Sequence, residues 1–88
     1  MPNARYTGNL MPAILKIGAY RFFFYSNENN EPAHIHIQRE RALAKFWLTP
    51  VSLASSTRFS AKEIRELQRQ VEKNRTSLLE AWNEYFKS

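Results

Sequence analysis

The sequence predicts an α+β domain in which a small, mainly antiparallel sheet of about four strands precedes a long C-terminal α-helix. Residues 13–54 are rich in Ile, Phe, Tyr, Trp and Val, which is typical of strands. Residues 60–87 are rich in Glu, Arg, Lys, Leu and Gln, which favours a helix. With 88 residues in all, the chain has room for one domain.

Short apolar runs separated by turn residues predict the strands. Gly18 separates the first run from the second, and a polar loop ending at Pro32 separates the second from the third. Pro50 ends the fourth run. The predicted strands cover residues 14–17, 20–26, 34–38 and 44–48, and a short edge segment could follow at 51–56.

The predicted helix begins at Ser60, which forms an S-x-x-E capping box with Glu63. Asn74 lies on the apolar stripe that follows, either as a polar position in one long helix or as the joint between two. No Gly or Pro interrupts the segment, so one helix is favoured, and part of its stripe is expected to face a partner. The stripe consists of Ile64, Leu67, Val71, Leu78, Trp82 and Tyr85.

The chain is basic, with a net charge of +5 and a pI of about 9.9, and it has no cysteine. A small basic domain favours an acidic partner, either nucleic acid or an acidic protein. There is no apolar run of about 18 residues that could span a membrane. We therefore expect a soluble cytoplasmic protein.

Both histidines of the chain lie in the third predicted strand, in the segment NEPAHIHIQ (residues 30–38). Because side chains alternate along a strand, His34 and His36 share one face and Ile35 and Ile37 share the other. A hairpin with the fourth strand places His36 opposite Lys45 and His34 opposite Trp47. The sequence thus predicts two imidazoles, an ammonium and an indole on one sheet face.

Three interpretations of this face compete. His34 and His36 could bind a metal with Glu28 or Glu31 as a third ligand, although the nearby Lys45 disfavours a dication. Alternatively, the two histidines could be an acid–base pair for metal-free RNA cleavage. The third interpretation is a polar strand face without chemistry.

In the RNA-cleavage interpretation, Lys45 or Arg21 would stabilise the phosphate charge and Trp47 could stack on a base. Tyr25 lies on the same strand face as Arg21 and is a further candidate for substrate contact. Glu31 could orient a histidine.

Two further patterns could bind a partner. Lys62, Arg65, Arg69 and Lys73 form a basic stripe on the predicted helix, although such stripes are often only solvated faces. Trp82 could pack in the core or enter a partner's groove.

Several of these segments resemble a widespread family of small bacterial proteins, domain of unknown function 4160. The resemblance rests on the blocks IG-x-YRFFFYSNE and EP-x-H-I-H, on AKFWL, and on the C-terminal segment from residue 59. It runs from Met11 to about Phe86, so residues 1–10 look like an extension and residues 11–88 like a single domain. Ala33 and the turn at residues 40–42 depart from the family pattern.

The resemblance also implies a function. Genes of this family often lie beside a gene for domain of unknown function 2442, in a pair that looks like a type II toxin–antitoxin module. By that resemblance the chain would be the toxin-like partner of an antitoxin-like protein, and most such toxins act on RNA or translation.

Together these observations predict a toxin-like protein acting on RNA, as a metal-independent endoribonuclease with His34 and His36 as the acid–base pair. No cofactor or metal is expected. The alternative is a non-catalytic module that binds protein or nucleic acid through Arg65, Arg69, Lys73 and Trp82.

Overall fold

A computed structural model describes residues 13–26, 28 and 30–86. The proposed extension at residues 1–10 lies outside this part of the chain. Within the described residues, five strands form one antiparallel sheet and two helices follow, so the α+β class is confirmed. The elements are β1 (Leu15–Ile17), β2 (Tyr20–Phe23), β3 (His34–Arg39), β4 (Ala42–Leu48), β5 (Val51–Thr57), α1 (Ala61–Lys73) and α2 (Arg75–Tyr85).

The sheet is a meander, because each strand pairs with the next one along the chain, in the order β1-β2-β3-β4-β5. The predicted register of the β3–β4 hairpin is confirmed: His36 lies opposite Lys45, and His34 lies opposite Trp47. The tight turn between these strands places Glu40 at φ 55°, in the left-handed region. Alternation of apolar and polar side chains was therefore sufficient to fix this register.

The prediction of about four strands was wrong by one. The segment proposed as a short edge is a full strand, β5, which pairs with β4 from Val51 opposite Leu48 to Thr57 opposite Leu43. Its serines and threonine are largely exposed, so it lacks the apolar alternation that identifies a half-buried strand. A register shift between Lys45 and Phe46 accommodates the pairing.

The prediction of one long helix was also wrong, because the chain leaves the helical conformation at Asn74 (φ −104°, ψ 13°). The side-chain Nδ2 of Asn74 donates to the carbonyl oxygen of Gln70 at 2.9 Å, and its backbone N–H donates to the same carbonyl at 3.0 Å. These bonds satisfy the Gln70 carbonyl at the end of α1, and α2 begins at the next residue, Arg75.

The core lies between one sheet face and the two helices. Ile35 and Ile37 point into it, as the alternation predicts, and both are fully buried. The apolar stripe of the helices packs against them through Leu67, Val71 and Leu78.

The opposite sheet face is covered in part by the connection between β2 and β3. This connection places Tyr25 against His36, with ring centroids 4.6 Å apart, and brings Glu28 to both histidines. Among the described residues, neither helix has the length and apolar content needed to cross a bilayer.

Candidate functional site: a buried histidine–glutamate cluster

The site lies between strand β3 and the β2–β3 connection. Strand alternation places His34 and His36 on the sheet face opposite Ile35 and Ile37, and the connection brings Glu28 to both rings. His34 has no exposed surface and His36 is 7% exposed. The β2–β3 connection covers His36 through Tyr25 and Glu28, and His34 is also packed against Trp82 of helix α2, so neither ring faces solvent.

The Glu28 carboxylate joins the two imidazoles. Its Oε1 lies 2.9 Å from His34 Nε2, and its two oxygens lie 3.0 and 2.9 Å from His36 Nε2. The backbone N–H of Tyr25 donates to Oε1 at 3.2 Å and fixes the carboxylate in the connection. One carboxylate thus holds both rings in place.

Burial and the contact between Glu28 and the histidines act in opposite directions on the pKa values of Glu28 and His36. Burial alone would raise the pKa of Glu28, but the contacts with His36 and His34 outweigh it and hold that pKa below its usual value. Burial lowers the pKa of His36 below its usual value despite the attraction of Glu28. The ionised carboxylate is therefore the favoured form of Glu28.

His34 is held on all sides. Its Nδ1–H donates to the carbonyl oxygen of Pro32 at 2.9 Å, and its ring packs against Trp47 and Trp82 with centroids 5.6 and 4.9 Å away. Its Nε2 is buried and makes no hydrogen bond, although it lies near Glu28. This unsatisfied nitrogen is unusual in a fully buried side chain.

Lys45 and Trp47 flank the cluster on the neighbouring strand. Lys45 Nζ donates to Glu31 Oε1 at 2.7 Å and lies 4.6 Å from the centre of the Trp47 ring. The hydrogen bond with Lys45 holds the pKa of Glu31 below its usual value. Glu31 thus pairs with Lys45, and its carboxylate is 3.9 Å from His34 Nδ1.

The structure assigns the contact with the histidines chiefly to Glu28, which the sequence indicated only as an alternative metal ligand. Both glutamates lie in the same aperiodic connection. No spacing rule indicates which of them returns over the sheet, so sequence reasoning could not choose between them.

The two other proposed substrate contacts lie near the cluster. Tyr25 packs edge-on against His36. Arg21 lies opposite Gln38, donates to its Oε1 at 3.4 Å and lies 5.7 Å from the centre of the Phe23 ring. Arg21 is therefore placed beside Phe23, whose ring stacks on His36 at 5.5 Å.

The proposed partner-binding residues lie in two places. Arg65, Arg69 and Lys73 are exposed on α1, and Arg69 pairs with Glu66 at 2.5 Å. Trp82 is 7% exposed and packs on Phe24, Phe86 and His34 inside the fold. Arg41 and Arg58, which sequence reasoning did not single out, are exposed near Arg39.

The family model for domain of unknown function 4160 matches residues 19–83, most of the chain. The chain belongs to this family. The match covers all three members of the cluster, Glu28, His34 and His36. No curated protein and no solved structure matches the chain.

Proposed function

We propose that the protein binds RNA through an exposed cationic surface, as the toxin-like member of a two-protein module. The observation that supports this proposal is the grouping of exposed cations around two neighbouring concave regions, in a chain of net charge +5. The cationic surface consists of Arg41, Arg58, Lys62, Arg65 and Arg69.

The fold holds the two regions next to each other. Lys62, Arg65 and Arg69 line a groove beside Tyr20, on the side of α1 away from the buried Leu67 and Val71. Arg41 and Arg58 line the second region together with Arg39. The ion pair between Arg39 and Glu63 links the regions, since Glu63 lines the groove of α1.

This arrangement favours a polyanion over a small acidic ligand. Lysine and arginine contacts to successive phosphates provide most of the sequence-independent affinity for nucleic acids. A surface that spans a strand turn, the start of a helix and its exposed face can follow several phosphates along a strand. Glu66 reduces the charge locally by pairing with Arg69, so Lys62 and Arg65 are the stronger candidates for phosphate contact.

The test is the salt dependence of RNA binding. Fluorescence anisotropy with a labelled single-stranded RNA should show affinity that falls linearly with salt on a log–log plot. Replacing Lys62, Arg65 and Arg69 together by alanine should reduce the slope by about 2, because each phosphate contact on a single strand contributes about 0.7. Lys16→Ala, at an exposed lysine of β1, is the control and should bind RNA as the unmodified protein does. An unchanged slope in the triple variant would contradict the proposal.

Endoribonuclease activity is the second candidate, because Lys45 and Trp47 adjoin the pair formed by Glu28 and His36. It requires the β2–β3 connection to open, since the rings are covered. Expression with and without the neighbouring gene, scoring growth and cellular RNA integrity, tests this function. Replacing both histidines by alanine should abolish RNA cleavage and toxicity. Intact cleavage by a folded double variant would exclude them as an acid–base pair.

A further inference from the structure

We propose that Glu28, His34 and His36 bind a divalent transition-metal ion of the zinc type. One ligand atom from each residue lies within 4.8 Å of the others, with the Glu28 carboxylate between the two rings. The proposal does not depend on RNA binding, which involves a different part of the surface.

The tautomer of His34 supports the ion. A carbonyl oxygen can only accept, so the bond to Pro32 requires the hydrogen of His34 on Nδ1. In the neutral ring, Nε2 then carries a lone pair, and it lies 2.9 Å from an oxygen of Glu28, which also carries lone pairs. Two acceptors this close require a cation shared between them, either a proton or a metal.

The geometry admits a metal as well as a proton. His34 Nε2 is fully buried, and its 2.9 Å contact with Glu28 Oε1 does not meet the geometry of a hydrogen bond. A metal does not have to lie on the line between nitrogen and oxygen. Tetrahedral zinc with bonds of about 2.0 Å separates its ligand atoms by about 3.3 Å. The nitrogen–oxygen distances from Glu28 to the two rings are 2.9 to 3.0 Å, so these ligands would move slightly apart to admit the ion.

The surroundings of His34 fit a metal-binding histidine. Such a histidine usually donates its other ring N–H to a carbonyl or carboxylate, which fixes the ring, and the bond from His34 to Pro32 does this. The main objection from the sequence was the positive charge of Lys45. The structure pairs that charge with Glu31 at 2.7 Å, so it is compensated outside the cluster.

Two imidazole nitrogens and one carboxylate form a ligand set of catalytic zinc sites, which leave a fourth position for water or substrate. A bound ion would occupy the ring lone pairs of both histidines. It would therefore exclude their action as a free acid–base pair.

Titration of tag-free, chelator-treated full-length protein with Zn²⁺, followed by calorimetry, tests the proposal. The chain has only these two histidines and no cysteine, so few other strong zinc ligands compete. One ion per chain is expected. Glu28→Gln should weaken Zn²⁺ binding at least about tenfold, because even the loss of a residue that only hydrogen-bonds to a metal ligand typically costs that much affinity. The glutamine amide can donate to His34 Nε2, so this variant is expected to fold without metal.

Glu72→Gln is the matched control, because it makes the same change at an exposed carboxylate of α1, outside the ligand set, and should keep the affinity. Absence of saturable binding to the unmodified protein would overturn the proposal and leave a buried proton-mediated pair. Equal affinity in Glu28→Gln would overturn it as well. If that variant fails to fold, the unmodified protein is titrated with Co²⁺ instead. The proposal requires the visible d–d absorption that is typical of Co²⁺ with low coordination number. A spectrum of hydrated Co²⁺ alone would reject it.

Discussion

At the scale of single residues, contact distances distinguish two glutamates that the sequence treats alike. Glu28 reaches both histidines, whereas Glu31 pairs with Lys45. Position in the chain does not separate them, since both precede His34 within a few residues. Because Glu31 pairs with Lys45, the positive charge of Lys45 is compensated and no longer opposes a cation at the histidines.

Glu63 allows a prediction about pH. Its pKa lies below the ordinary value of 4.5 because of the hydrogen bond from the Ser60 backbone and then the contact with Arg39. A lowered pKa in the folded state stabilises the protein above the unfolded-state pKa, and this contribution disappears as pH falls through the folded-state value. Glu63→Gln should therefore be less stable than the unmodified protein at neutral pH, with the difference vanishing in acid. Urea unfolding measured across this pH range provides the check, and a difference independent of pH would contradict the role of the charge.

At the scale of elements, helix α1 depends on its start. The Glu63 backbone N–H donates to Ser60 Oγ at 3.1 Å, and the Glu63 carboxylate accepts from the Ser60 backbone at 2.9 Å. The predicted capping box is thus confirmed. Asn74 ends the same helix. The sequence left open whether Asn74 lies within one long helix or joins two helices.

Loss of the cap should have a measurable cost. Ser60→Ala removes the acceptor for an otherwise unpaired helix N–H and should lower the free energy of unfolding by about 1 kcal/mol. Ser77→Ala, at an exposed position of α2, is the control and should change it by less than about 0.5 kcal/mol. Chemical denaturation compares the two variants. Equal stabilities would show that the cap adds nothing.

Trp82 is the largest side chain that helix α2 buries in the core. Trp82 packs on Phe24 with ring centroids 5.3 Å apart and on His34 at 4.9 Å. Trp82→Ala should destabilise the fold by about 3–5 kcal/mol, because it leaves a cavity between helix and sheet. Tyr85→Ala should be nearly neutral, since Tyr85 is 44% exposed. Thermal unfolding distinguishes the variants, and similar losses for both would contradict the assignment of Trp82 to the core.

At the scale of the whole molecule, sheet and helices share a single hydrophobic core. Strand residues such as Ile35 and Phe46 and helix residues such as Leu67 and Leu78 belong to the same buried cluster. Neither layer can bury its apolar face without the other, so the domain has no independent part.

Unfolding should therefore be a single cooperative transition. Tryptophan fluorescence reports on Trp47 and Trp82, on the sheet and at the helix–sheet interface, while far-ultraviolet circular dichroism reports mainly on the helices. The two denaturation midpoints should coincide. Earlier loss of the helical signal would show that α1 and α2 detach before the sheet unfolds.

The sequence by itself determined the features that depend on local periodicity and capping. Alternation along HIHIQ and AKFWL separated the core isoleucines from the histidines and set the β3–β4 register, because a shift by one residue would bury the wrong face. Ser60 and Glu63 identified the start of α1. Only the tertiary structure decided the fifth strand, the break at Asn74 and the choice of Glu28 as the partner of the histidines. Strand β5 lacks apolar alternation, no Gly or Pro marks the break at Asn74, and the β2–β3 connection has no period, so the sequence pattern did not decide any of the three.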